Sequence, residues 1–227
     1  MSIELAADAP KILALDGPAG AGKSTVARLV GESLGLTVLD TGAMYRAITI
    51  ACTARAVDLN DARACAEVGR DCVLELRDDG QVLLDGRDVT AEVRTPHVTS
   101  TVSTISAHRE VREIMVAHQR EWARHHGSGV VEGRDIGTVV FPEAPLKIFL
   151  VASPDERARR RSLDEVAAGR TVDLTALIAD IERRDRADSQ RIESPLRPAA
   201  DAIMVDTTGR SIDDVVAEIV GRYETLP

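Results

Sequence analysis

The chain has 227 residues and a mass of 24.4 kDa, with 28 Lys+Arg against 37 Asp+Glu for a net charge of −9. That length suits a single α/β domain with insertions, and no apolar run approaches the ~18–20 residues of a transmembrane helix. A pI near 5.1 and an aromatic share of 2% exclude a chain built to neutralise or stack on nucleic acid.

The N-terminal decapeptide carries early acids and no apolar stretch, so it does not read as a secretory signal. The expectation is a soluble cytoplasmic protein without a membrane partner, and nothing demands more than a monomer. Lys11–Asp16 (KILALD) predicts a buried parallel strand, followed by a glycine-rich loop and a helix through Val26, Leu29, Val30 and Leu34. Leu36–Leu39 predicts a second strand, and a helix follows Asp40-Thr41-Gly42 through Met44, Ile48 and Ile50. Cys72–Leu76 and Gln81–Leu84 flank Asp78-Asp79-Gly80 as a hairpin. It breaks the βα rhythm, so residues ~60–95 read as an insertion. Helices fill about Val98 to His126, with Val111, Ile114, Met115 and Trp122 on an apolar stripe, and Gly129–Glu132 and Leu146–Val151 are strand-like. Ser153-Pro154-Asp155-Glu156 is a capping box opening a helix that reaches Ala168-Gly169. A helix over Leu174–Gln190, a strand at Ala202–Val205 and a Ser211-capped helix complete the chain. Five strands alternating with helices predict a parallel sheet covered on both faces.

The cysteines, Cys52, Cys65 and Cys72, form no C-x-x-C pair, so they read as reduced apolar side chains rather than a metal site. Arg outnumbers Lys 25 to 3. Guanidinium forks grip phosphate oxygens two at a time, so clustered arginines are candidates for phosphate binding.

Gly17-Pro18-Ala19-Gly20-Ala21-Gly22-Lys23-Ser24 matches G-x-x-x-x-G-K-[ST] between a predicted strand and a predicted helix. Glycines allow positive φ and turn successive N–H groups toward phosphate. The helix N-terminus adds partial positive charge. Lys23 supplies a full charge at the β- and γ-phosphates, the Ser24 hydroxyl can ligand Mg²⁺, and Thr25 follows on the first turn. The motif alone specifies only a nucleoside triphosphate site. A guanine reader N-K-x-D is absent, because the one asparagine, Asn60, precedes Asp61.

Further motifs narrow the class: L-D-T-G-A-M-Y-R (39–46), V-R-E (111–113), G-R-D-I-G-T-V-V-F-P (133–142), E-R-A-R-R-R (156–161), R-D-R-A-D-S-Q-R (184–191) and P-A-A-D (198–201). With the phosphate loop they resemble the bacterial cytidylate kinases, nucleoside monophosphate kinases of the P-loop class, over nearly the whole chain. The resemblance implies ATP as donor, Mg²⁺ as its partner ion, and CMP and dCMP as acceptors. It implies an acceptor region over 41–126 and a lid over 154–172. It also implies that Thr41, Arg46, Arg134 and Arg191 hold the acceptor phosphate, and that Ser103, Arg112 and Asp135 read cytosine. Arg184 and Asp188 would meet the ribose, and Arg157, Arg160 or Arg161 would reach the transferring group. A carboxylate accepts from the cytosine N4 amino group and an arginine donates to O2 and N3.

Each assignment has a plainer alternative: a solvated helix charge for Arg46, an i,i+4 salt bridge for Arg184 and Asp188, a solvated basic face for the lid arginines. No general base stands in a motif. None is needed, because the second pKa of a phosphate monoester lies near ~6 and the acceptor is already largely dianionic at neutral pH. A UMP kinase, a non-catalytic nucleotide-binding regulator and a small-metabolite kinase remain as rivals.

Overall fold

A computed structural model describes residues 10–167, 169 and 171–226. The acidic N-terminal segment and the Ala168 end of the predicted lid helix therefore lie outside the described residues. In chain order the elements are β1 (Lys11–Asp16), α1 (Lys23–Leu34), β2 (Val38–Asp40), α2 (Thr41–Ala54), α3 (Ala62–Asp71), β3 (Leu74–Leu76), β4 (Val82–Leu84), β5 (Arg87–Asp88), α4 (Pro96–Ala107), α5 (Arg109–His126), β6 (Ser128–Gly133), β7 (Leu146–Val151), α6 (Pro154–Ala167), α7 (Leu174–Ser189), β8 (Ile203–Asp206) and α8 (Ile212–Glu224).

The apolar runs pair as a five-stranded parallel sheet in the order β2-β6-β1-β7-β8. β1 lies at its centre, buried from Ile12 onward. One face packs under α1 and α8, with Val26, Val30, Val215 and Ile219 against Leu13, Leu15 and Leu150. The other packs under α2 and α5, with Met44, Ile48, Val111 and Met115 against Ile12, Leu39 and Val131. The predicted fold class holds, and it turns the carboxyl ends of β1, β2 and β6 toward one crevice, the position where open α/β sheets bind ligands.

Three local readings change. β2 begins at Val38 and includes Asp40, because its register is fixed by pairing with Val130–Glu132 of β6 rather than by the apolar run. The predicted hairpin gains a third strand, β5, since Leu83 and Leu84 pair with Asp88 and Arg87. The helical stretch before β6 divides at His108, which is extended (φ −75°, ψ 121°) and contacts the Leu59 carbonyl through Nε2 at 2.7 Å. Ser153 caps α6 as expected by accepting from Glu156 N at 3.2 Å, but the Glu156 carboxylate turns to Arg159 and Arg160. Among the described residues no helix is long and apolar enough to cross a membrane.

Candidate active site

The phosphate loop follows β1 directly. Gly17 sits at φ +148°, and a Cβ there would stand 2.3 Å from the Leu150 carbonyl oxygen on β7, so the loop leaves the sheet only through glycine. Gly22 caps α1 in the left-handed region (φ 92°), which leaves the first N–H groups of the helix facing outward. Lys23 Nζ donates to the Pro18 carbonyl at 2.7 Å. Burial, with Arg134 nearby, pulls its ammonium well below the usual lysine range.

Ser24 Oγ donates to Glu132 Oε2 at 3.0 Å. Glu132 ends β6 almost fully buried, and burial, helped by the charge of Asp40, pushes its carboxyl up to about 7. The motifs did not single out this residue. Its signal was an acid closing the buried strand Ser128–Gly133 beside the phosphate loop.

A cleft of about 740 Å³ opens between the phosphate loop and the helices α2, α4, α5 and α7. Arg46, Arg134 and Arg191 all line it, although they come from α2, the end of β6 and the end of α7. Arg134 Nε donates to Asp188 at 3.1 Å, and Arg191 pairs with the other oxygen of the same carboxylate. Asp188 is 1% exposed; burial pushes its acidity the wrong way, but Arg134, Arg191 and Arg184 hold it below the usual carboxylate range. Its ion-pair partners are thus Arg134 and Arg191 rather than the i,i+4 neighbour Arg184. Arg112, on α5, pairs with Asp135 and lies 5.6 Å from the Tyr45 ring centre. Both members of that pair are buried.

Asp40 caps α2 by accepting from Ala43 N at 2.9 Å. Its second oxygen takes Arg46 and Arg94, each at 3.0 Å. Arg94 belongs to the single turn after the inserted sheet and was not foreseen as part of the cleft. Thr41 donates to the Glu132 carbonyl at 2.7 Å, tying the start of α2 to the end of β6.

Two buried guanidinium nitrogens, Nε of Arg46 and Nε of Arg184, lack a hydrogen-bond partner among the described residues. Buried donors of this kind are rarely left unmet without a ligand to meet them. Burial lowers the Arg184 guanidinium to about 10, and Arg134, Arg46 and Arg161 add to that effect. Its field also reaches Lys23. Arg184 therefore stands between Lys23 and the guanidiniums of Arg46 and Arg134.

The arginines of α6 divide. Arg157 is buried and commits its guanidinium to the Ala152 and Ala19 carbonyls, both at 3.1 Å, and to Asp185 at 2.6 Å. Arg160 donates to Thr207 O at 2.7 Å and reaches Ala21 O at 3.4 Å. Arg160 and Arg161 line the cleft, and Arg157 does not. Ser103 does not line it either; Ser106, one turn later on α4, does, and accepts from Arg191 at 3.0 Å.

The description "Cytidylate kinase" belongs to the family model that matches residues 13–225. A cytidylate kinase of Desulforamulus reducens is 50% identical over 213 residues, covering 92% of this chain and 95% of its own length. One of Rhodococcus opacus is 50% identical over 217 residues, covering 92% and 93%. In structure, an uncharacterised protein of Eubacterium ventriosum superposes with a TM-score of 0.56 at 12% identity over 94% of this chain and 98% of its own, a likeness of fold alone. With half its residues shared along nearly its whole length, and with its charged groups gathered in one cleft, the chain belongs to the cytidylate kinase family.

Proposed function

We propose that the protein transfers the γ-phosphoryl group of ATP to CMP, giving ADP and CDP, and that it accepts dCMP as well. The observation that carries this reading is the convergence of two cationic clusters on one cleft, with Arg46 Nε and Arg184 Nε buried and unpartnered at their junction. Two polyanions repel one another, so an enzyme that brings them together must neutralise both.

On the donor side the backbone of Gly17–Gly22 and the Lys23 ammonium cradle the triphosphate. Phosphate oxygens displace the Pro18 carbonyl from Lys23 and favour its charged form. Ser24 and Glu132 offer a hydroxyl and a carboxylate 3.0 Å apart beside the loop, a donor set of the kind that holds Mg²⁺ together with phosphate oxygens and water. Bound there by Ser24 and Glu132, the ion would supply charge neutralisation at those oxygens. On the acceptor side Thr41, Arg46 and Arg134 hold the monophosphate. Arg112 and Asp135 already face each other as a donor–acceptor pair and exchange that contact for O2/N3 and N4 of cytosine. Uracil would present O4 to the Asp135 carboxylate, an acceptor facing an acceptor. Asp188 lies close enough to Arg134 and Arg191 to set their forks while its remaining acceptor capacity meets the sugar hydroxyls.

The acceptor dianion attacks in line without a base, so positioning and charge do the work. Arg157 and Arg160 tie the lid helix to the loop carbonyls, and Arg161 with Arg184 meets the transferring group. An ATP-coupled assay across CMP, dCMP, UMP, AMP and GMP tests the reading. CMP and dCMP should lead, and a preference for UMP would overturn the role given to Asp135.

A further inference from the structure

The turn that follows Asp135 is π-helical over Ile136–Val140, a loosely wound form that needs outside support. That support comes from two directions. From β1, the Asp16 carboxylate accepts from Ile136 N and Gly137 N, each at 2.8 Å. From α5, Arg120 donates through Nε to the Val140 carbonyl at 3.0 Å and through its terminal nitrogen to Val139 at 2.9 Å. The first two free N–H groups of the turn and two of its last carbonyls are thereby satisfied. The turn also packs against Lys147, whose side chain would stand 3.1 Å from a Cβ on Gly137 and whose Nζ donates to the Pro142 carbonyl.

None of these groups faces the cleft. Asp16 is 5% exposed and has no ion-pair partner among the described residues. Carrying a buried carboxylate with only amide partners is costly, and an asparagine there could not repeat the arrangement. Its NH₂ group would meet one of the two N–H donors head on. Arg120 lies two helical turns beyond Arg112 on α5, so one helix grips the turn at both ends: Arg112 through the Asp135 side chain, Arg120 through the carbonyls.

We propose that Asp16 and Arg120 are positioning residues for the acceptor site: they clamp the π-helical turn from opposite ends and so fix where Arg134 and Asp135 meet the monophosphate and its base. The inference rests on the acceptor site proposed above. A displacement near 1 Å in such groups can cost about a hundredfold in rate, so a backbone clamp out of contact with substrate can still govern selection.

The test uses the full-length Asp16→Asn, Arg120→Met and Arg120→Lys variants, measuring KM and kcat for CMP and UMP, KM for ATP, and the thermal unfolding midpoint. Asp16→Asn should raise the CMP KM and lower the CMP-over-UMP preference, each about tenfold, with the ATP KM within about twofold. Arg120→Met should move the same two quantities in the same direction, and Arg120→Lys, which can still donate to a carbonyl, should recover part of the loss. A role confined to stability would lower the unfolding midpoint and leave the base preference of the folded enzyme unchanged. Folded variants whose CMP KM and CMP-over-UMP ratio both stay within about twofold of wild type overturn the proposal. Should Asp16→Asn not fold, the Arg120 pair decides alone. Should the wild type prefer another monophosphate, the acceptor assignment falls, and the KM for that monophosphate in the same variants still tests the clamp.

Discussion

The two halves of the cleft are built by opposite means. The half proposed to hold the donor, against the half proposed to hold the acceptor, is one contiguous octapeptide whose glycines and following helix N-terminus shape it before any side chain contributes. Lys23 is its one full charge, parked on a backbone carbonyl. The acceptor half draws on α2, α5, β6 and α7, and its charges neutralise one another: Arg46 with Asp40, Arg112 with Asp135, Arg134 and Arg191 with Asp188. A backbone cradle binds whatever triphosphate fits. A set of self-paired charges demands a ligand that can replace each partner in kind, so the proposed function puts discrimination there.

The sharpest way to break this comparison is Lys23→Ala. With the only full donor-side charge gone, kcat should fall by about a thousandfold while calorimetric CMP binding stays intact. Near-normal turnover would mean that the backbone cradle suffices. On the acceptor side Asp135→Asn exchanges a pure acceptor for a group that can also donate. The CMP-over-UMP preference in kcat/KM should fall by about a hundredfold, and an unchanged ratio moves base reading elsewhere. Arg46→Ala should raise the KM for CMP about thirtyfold with the KM for ATP unaltered. A matching rise in both constants would dissolve the division into halves.

The smallest effect is a pH dependence. Burial pushes the Asp16 carboxyl from 3.8 up to about 6, against the pull of its two amide donors. The folded protein then holds the proton more tightly than the unfolded chain. The Asp16 contribution to stability is full below the ordinary carboxylate range and is lost as the pH rises through about 6. Urea unfolding between pH 4 and pH 7 should show Asp16→Asn with a flatter decline, by on the order of 1–2 kcal/mol. Parallel wild-type and variant curves would place the Asp16 pKa in the usual range.

Much of this was legible without coordinates where neighbours in sequence do the work. β1 and β7 are continuous apolar runs and appear with the bounds expected. The Ser153 and Ser211 caps bond as their spacing foretold. Legibility failed where a residue takes its meaning from a distant element. Glu132 looks like any strand-end acid until Ser24, 108 residues away, donates to it. The family pattern names Asp188 together with Arg184, yet the ion pairs of Asp188 go to Arg134, 54 residues away, and to Arg191. Ser106 lines the cleft one turn beyond the Ser103 that the family pattern names, and no motif marked it. Arg94 and the third strand of the insertion carried no periodic signal, β5 being only two residues long.

Hydrophobic periodicity, glycine placement and capping residues act over a few positions, so they determined the parallel sheet and the phosphate loop, while the family was legible only through the resemblance of its longer motifs. Which cation faces which anion was decided only by tertiary structure. Coulombic and hydrogen-bond partners are chosen by distance in space, and folding here brings together side chains that the chain holds far apart.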